Sequence, residues 1–181
     1  MSETSFADMM VAEMPYLRAF ALSLSGSAAF ADDLVQETLI KAWTHEASFA
    51  RGTNFRAWLV TILRNTYFNE YRKRGREVQD SDHTHAESIP VGGDQEANVT
   101  MRDVQRALDR LPPEQREILL MIGVTELSYE EAAVVCDIAI GTVKSRLNRA
   151  RARLAELLGM TGGEAVAGFV PGPERKSGGA T

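Results

Sequence analysis

Between Gly141 and Arg153 the chain carries Lys144, Arg146, Arg149, Arg151 and Arg153 and no acidic residue. The full 181-residue chain is nevertheless acidic, with a formal net charge of −5. A helix that only has to stay in water mixes charge signs at i, i+4 spacing, so a run of one sign points to an anionic partner. Val143, Leu147, Ala150, Leu154 and Leu157 recur every three or four residues, which predicts one buried stripe on a helix running to about Leu158. At about 100° per residue, Ser145, Asn148 and Arg149 project opposite that stripe, with Lys144 beside them. Arg146, Arg151 and Arg153 fall on the flanks. Outward side chains of these types reach base edges, and flanking arginines neutralise phosphates. The chemistry on offer is recognition of duplex DNA.

A second group points to a different nucleic-acid chemistry. A helical pattern over about 54–76 places Phe55, Leu59, Ile62, Leu63 and Thr66 on one side as core. Trp58, Thr61, Asn65, Phe68 and Arg72 share another arc, and Lys73, Arg74 and Arg76 crowd the end. Rings interleaved with cations suit unstacked bases of a single strand, which stack on the rings while cations follow the phosphates. The alternative is that Trp58 and Phe68 enlarge the core and the terminal cations complement the helix dipole.

These groups need elements to hold them. Ser128 with Glu131 three residues on is a capping-box pattern opening a short helix. Asp137 to Ile140 form a tight turn, and the basic helix follows. That is a helix-turn-helix, whose second helix enters the major groove. Upstream, "MRDVQRALDRL" and "PPEQREILLMIGV" supply two further amphipathic helices, with Pro112 and Pro113 placed where a missing N–H costs little. In the first half, helices are predicted over about 14–25 and 28–46. Leu34, Thr38 and Ala42 face inward on the second, leaving Asp33, Gln36, Glu37 and Lys41 outward. The expected fold is all-α.

Charge by segment explains the acidic total. Residues 1–76 hold 9 basic and 8 acidic side chains, residues 99–158 hold 9 of each, and residues 77–98 hold 6 acidic residues with no Lys or Arg. With Pro90, Gly92 and Gly93 and no apolar period, 77–98 reads as a flexible acidic linker between two separately folded small helical domains, 1–76 and 99–158, the latter a four-helix domain. Residues 159–181 read as a disordered tail. No enzyme class fits. There is no phosphate-binding glycine loop, and His83 and His85 in the acidic segment make a poor metal site. No metal or cofactor is expected. Cys136 cannot form an internal disulfide and reads as a small buried apolar residue. With no apolar run long enough to span a bilayer and no basic signal-peptide start, a cytoplasmic location is expected.

Four stretches in order, "DDLVQETLIKAW", "FRAWLVTILRNTYFNEYRKR", "LPPEQREILLM" and "SYEEAAVVCDIAIGTVKSRLNRARARL", resemble the extracytoplasmic-function group of bacterial RNA polymerase sigma factors. "LPPEQREILLMIGVTELSYEEAA" looks most like the branch that directs the general stress response. The resemblance implies that Asp32, Asp33, Gln36 and Glu37 dock on the clamp of the polymerase core. It implies that Trp58, Thr61, Asn65, Phe68 and Arg72, with the preceding loop "EASFARGTN", capture the opened −10 strand. It further implies that Thr142, Lys144, Ser145, Arg146, Asn148, Arg149 and Arg153 read the −35 duplex, and that an anti-sigma factor is a partner. Asn69 departs from the acidic residue common after "RN", and Asp137 from a turn glycine. Two rivals stand beside this reading. A plain helix-turn-helix regulator leaves the first half without a use. A sigma mimic that titrates an anti-sigma factor would carry a receiver domain, which the 23 residues after Leu158 are too few to supply.

Overall fold

The computed structural model describes residues 5–78 and 100–160. Apart from residues 77, 78, 159 and 160, the expected linker and tail lie outside the described residues. Seven α-helices occur among the described residues, joined by turns and one short 3-10 segment, with no strand. The all-α expectation is met.

Helix α1 spans Phe6–Ser25, well ahead of the expected start near residue 14. Ser5 and Asp8 form a capping box, and Pro15 lies inside the helix rather than at its beginning. Gly26 ends α1 in the left-handed region at φ 68°, donating its N–H to the Leu22 carbonyl at 2.8 Å. Ser27 then caps α2 (Ala28–Thr44) by accepting from the Phe30 N–H. After a 3-10 turn at Glu46–Ser48, α3 runs from Phe55 to Val78, two residues past the expected boundary. Leu17 and Phe20 of α1, Leu34 of α2, and Leu59 and Leu63 of α3 are fully buried together. Each such side chain contributes about 1.5–3 kcal/mol through burial.

The second half comprises α4 (Met101–Asp109), α5 (Pro113–Gly123), α6 (Tyr129–Cys136) and α7 (Ile140–Leu157). Thr100 with Asp103 caps α4, and Ser128 with Glu131 forms the anticipated box on α6. Asp137 takes the left-handed conformation at the helix-turn-helix corner, φ 54° and ψ 51°. An aspartate tolerates that conformation better than most residues. Four of the five stripe positions on α7, Val143, Leu147, Ala150 and Leu154, are within 1% of full burial, and Leu157 at the helix end is half-buried.

The halves, expected to fold apart, are set against each other, α3 against α6 and α1 against α5. The seam is polar and charged. Arg64 of α3 is paired through two nitrogens with Glu117 of α5, and Arg56 Nη1 donates to the Thr125 carbonyl at 3.0 Å. Asn54, whose Oδ1 caps α3 at the Ala57 N–H, donates through Nδ2 to Glu131 of the α6 capping box at 2.6 Å. The Ser23 carbonyl near the end of α1 accepts from Arg116 at 2.5 Å and Gln105 at 3.3 Å. Val60, between the two α3 arginines, is completely buried.

Candidate nucleic-acid and polymerase surfaces

Helix α7 exposes Lys144, Ser145, Asn148, Arg149 and Arg153, while Thr142 is half-buried. Arg149 folds back on its own helix, donating from Nε to the Ser145 carbonyl at 3.2 Å and from Nη2 to Ser145 Oγ at 3.3 Å. These are local bonds at an exposed site, so the guanidinium can leave them for a guanine edge at little cost. Arg153 is paired with Glu156 at 2.7 Å. The flanks differ from the outer face. Arg151 and Arg146 are half-buried, and Arg151 Nε is fully buried with no hydrogen-bond partner. Burial raises both the Glu117 carboxyl and the Cys136 thiol, and the charges of Arg64 and then Arg146 oppose that rise.

Trp58 of α3 is both ring-packed and accessible. It stacks with Phe55 at 5.8 Å and lies 5.4 Å from Phe49 and 6.2 Å from Phe6, and it remains half-buried. Its remaining surface lines a cavity of about 260 Å³ together with Lys41, His45, Ser48, Ile62, Asn65, Thr66 and Asn69. Of the arc expected on α3, the structure brings Trp58 and Asn65 to this cavity. Thr61, Phe68 and Arg72 lie along the helix outside its lining. Thr61 bonds the Ala57 carbonyl at 2.9 Å. Arg72 turns to the Phe68 carbonyl at 3.2 Å and Asn69 Oδ1 at 2.9 Å.

Ser48 belongs to the loop "EASFARGTN" already expected at the strand site, whereas Lys41 and His45 from the end of α2, and Asn69, were not legible as site residues. His45 Nδ1 contacts the Lys41 carbonyl at 2.8 Å, and Ser48 donates to the His45 carbonyl at 2.7 Å, which folds this turn toward α3. Lys41 Nζ, paired with Glu37 at 2.6 Å, also donates to Thr66 Oγ1 at 3.1 Å. The cavity thus offers an indole face, several hydrogen-bonding groups and one cation. That set suits a flat heteroaromatic ring with polar edges.

On α2, Asp32, Asp33 and Gln36 are exposed and Glu37 is half-buried. Asp32 is paired with Arg18 at 2.7 Å. Ile40 and Trp43, 59% and 57% exposed, continue this face toward the helix end. Acidic side chains and bare apolar surface thus lie side by side on this face, the apolar part being of the kind that suits a protein partner. Among the described residues no group of three or more His, Cys, Asp or Glu is placed to hold a metal, and no helix is long and apolar enough to cross a membrane.

Comparison with known proteins follows the same division. Residues 9–77 match the family model for Sigma-70 region 2, and residues 101–154 match that for Sigma-70, region 4. The chain is 49% identical over 160 residues, 88% of each chain, to the ECF RNA polymerase sigma factor EcfG of Rhodopseudomonas palustris (strain TIE-1). Among solved structures it resembles the sigma factor RpoE in complex with the anti-sigma factor NepR from Bartonella quintana. That likeness has TM-score 0.78 and 48% identity, covering 87% of this chain and 98% of that one. It also resembles CnrH in complex with the cytosolic domain of CnrY, at TM-score 0.64 and 26% identity, covering 85% of this chain and 87% of that one. With both family models matched and a relative 49% identical along most of its length, the chain belongs to the extracytoplasmic-function RNA polymerase sigma factors.

Proposed function

We propose that this sigma factor directs transcription initiation by gripping a promoter at two points, and that the cavity beneath Trp58 and Asn65 receives a base of the −10 strand. The observation that carries this reading is the composition of that cavity: one indole face, one cation and several amide and hydroxyl groups at the surface of α3. Residues 1–76 carry the −10 strand and polymerase contacts, and residues 99–158 read the −35 duplex through the exposed side of α7. Asp32, Asp33, Gln36 and Glu37 dock on the polymerase core. The work is done in the cytoplasm, on genes of the general stress response, as the likeness to EcfG and to "LPPEQREILLMIGVTELSYEEAA" suggests. An anti-sigma factor of the kind solved with the Bartonella chain restrains it. The plain regulator and the titrating mimic are disfavoured by a cavity and an acidic docking face that neither would use.

Run-off transcription with bacterial core polymerase, with and without the protein, tests this directly. Promoter-specific transcripts are expected only with it. Asn65→Ala is expected to impair promoter opening more than closed-complex formation, and Trp58→Ala likewise where circular dichroism shows an intact fold. A well-folded Asn65→Ala variant that opens promoters normally would remove the cavity from the mechanism.

A further inference from the structure

Helix α3 has three working sides. One is core, one carries the cavity, and the third holds Arg56 and Arg64, eight residues or about 12 Å apart. Arg56 stays tied to its own half: Nε is 2.5 Å from Glu13 and the guanidinium lies 3.4 Å from the centre of the Tyr16 ring. Arg64 is paired with no carboxylate of its own half among the described residues. The carboxylate that holds it is Glu117, on the other half of the molecule, and the Glu117 side chain is only 5% exposed. The Arg64 guanidinium also sits 5.1 Å from the centre of the Phe68 ring, the arc residue one turn along. A planar guanidinium grips a carboxylate and a phosphate with the same two-pronged geometry. Once the halves part, Glu117 leaves with α5, and Arg64 is left bare beside the arc expected to carry a single strand.

We propose that Arg64 is a further contact for a phosphate of the captured strand, and that Glu117 is an internal stand-in for that phosphate which occupies Arg64 while the halves are closed. This rests on the reading of α3 as a single-strand surface. The argument is one of competition. While the seam is closed each buried charge needs the other as its partner, so Arg64 stays occupied until something else holds the halves apart. The same cation cannot serve both anions. Closure therefore withholds the strand site without any inhibitor touching the cavity.

The two partners of one ion pair then have opposite effects, which no purely structural role predicts. The full-length chain is titrated against a fluorescent single-stranded oligodeoxynucleotide of mixed sequence, by anisotropy at several salt concentrations. Glu117→Gln, which keeps the side chain's shape, is expected to bind at least about threefold more tightly because the closed state is less populated. Arg64→Gln breaks the same pair but is expected to bind more weakly, with a log–log salt slope shallower by about 0.7, the loss of one single-strand phosphate contact. If both variants tighten, the pair is a latch and Arg64 is no DNA contact. If both weaken along with their melting temperatures, the pair only supports the fold. Either result overturns the proposal. The charge swap Arg64→Glu with Glu117→Arg is an independent check that restores the pair but moves the cation to α5. It is expected to bind as weakly as Arg64→Gln, and wild-type binding would overturn the proposal. Asn65→Ala in the same assay keeps the two readings apart. Unchanged binding there, with opposite signs at Arg64 and Glu117, sinks the cavity assignment and leaves the phosphate contact standing.

Discussion

Cys136 sits where the closed seam can be watched. Its thiol is pushed up to about 11, first by burial and then by the charge of Glu117, with Arg64 and Arg146 opposing. An ordinary thiol with pKa about 8.5 is roughly one-quarter thiolate at pH 8, whereas one at 11 is about 0.1% thiolate. The rarer thiolate is more nucleophilic by about tenfold, given a Brønsted slope near 0.4–0.5. The net expectation is that native Cys136 attacks an aromatic disulfide reagent at pH 8 about twentyfold more slowly than the urea-unfolded chain, before any further shielding. The perturbation is Arg56→Gln, about two turns from Arg64 along α3. It removes the bond to the Thr125 carbonyl and the 3.4 Å pairing with Glu126, both reaching the other half. Loosening the seam at that end should raise the Cys136 rate toward the unfolded value while circular dichroism stays helical. A wild-type rate equal to the unfolded rate would refute the closed seam in solution. An unchanged rate in a folded Arg56→Gln variant would refute the claim that Arg56 helps to hold it.

Other consequences are equally open to measurement. Arg149→Ala is expected to cost about 1–3 kcal/mol on a −35 duplex and to relax preference at one base position, read from binding to single-base variants. Arg153→Ala should weaken all duplexes alike and reduce the salt slope by less than about one unit, because Glu156 already competes for this arginine; Glu156→Gln should tighten binding in the same titration. Reversing the charges at Asp33 and Glu37 should weaken association with core polymerase, measured by pull-down, and leave duplex binding unchanged. Gly26→Ala should lower stability by about 1 kcal/mol in a denaturant melt, since the position needs φ 68° while the added methyl itself meets nothing closer than an ordinary contact with Gln105.

The helix-turn-helix was readable residue by residue because its cap, corner and stripe are local features. Ser128 and Glu131, Asp137, and the Val143-to-Leu154 stripe each lie within a few residues of what they determine. The start of α1 was missed because Pro15 reads as a helix opening, and because its true cap pairs Ser5 with an aspartate where the usual signature has Glu or Gln. Helix α3 was only partly legible. With three of its sides in use, Arg56 and Arg64 look like surface charges, and nothing near Glu117 in the sequence says that it is 3% exposed. Helical phase puts Arg146 and Arg151 on the flanks of α7, and both are half-buried there, because flank positions are decided by what packs beside them. The cavity draws on α2, the following turn and α3, so only the folded chain assembles it.

The end of α1 is finished by the other half of the molecule. Its last turn holds no basic residue. The cation that a helix C-terminus attracts is Arg116 of α5, which with Gln105 of α4 binds the Ser23 carbonyl. When the halves separate, that carbonyl returns to water and the final turn of α1 frays. Backbone amides at 24–26 would then exchange with solvent faster, a short way ahead of Asp32 and Asp33. Baring of Arg64 and loosening of the turn between α1 and α2 would thereby be timed by one event, so amide exchange in that turn would report the opening of the seam.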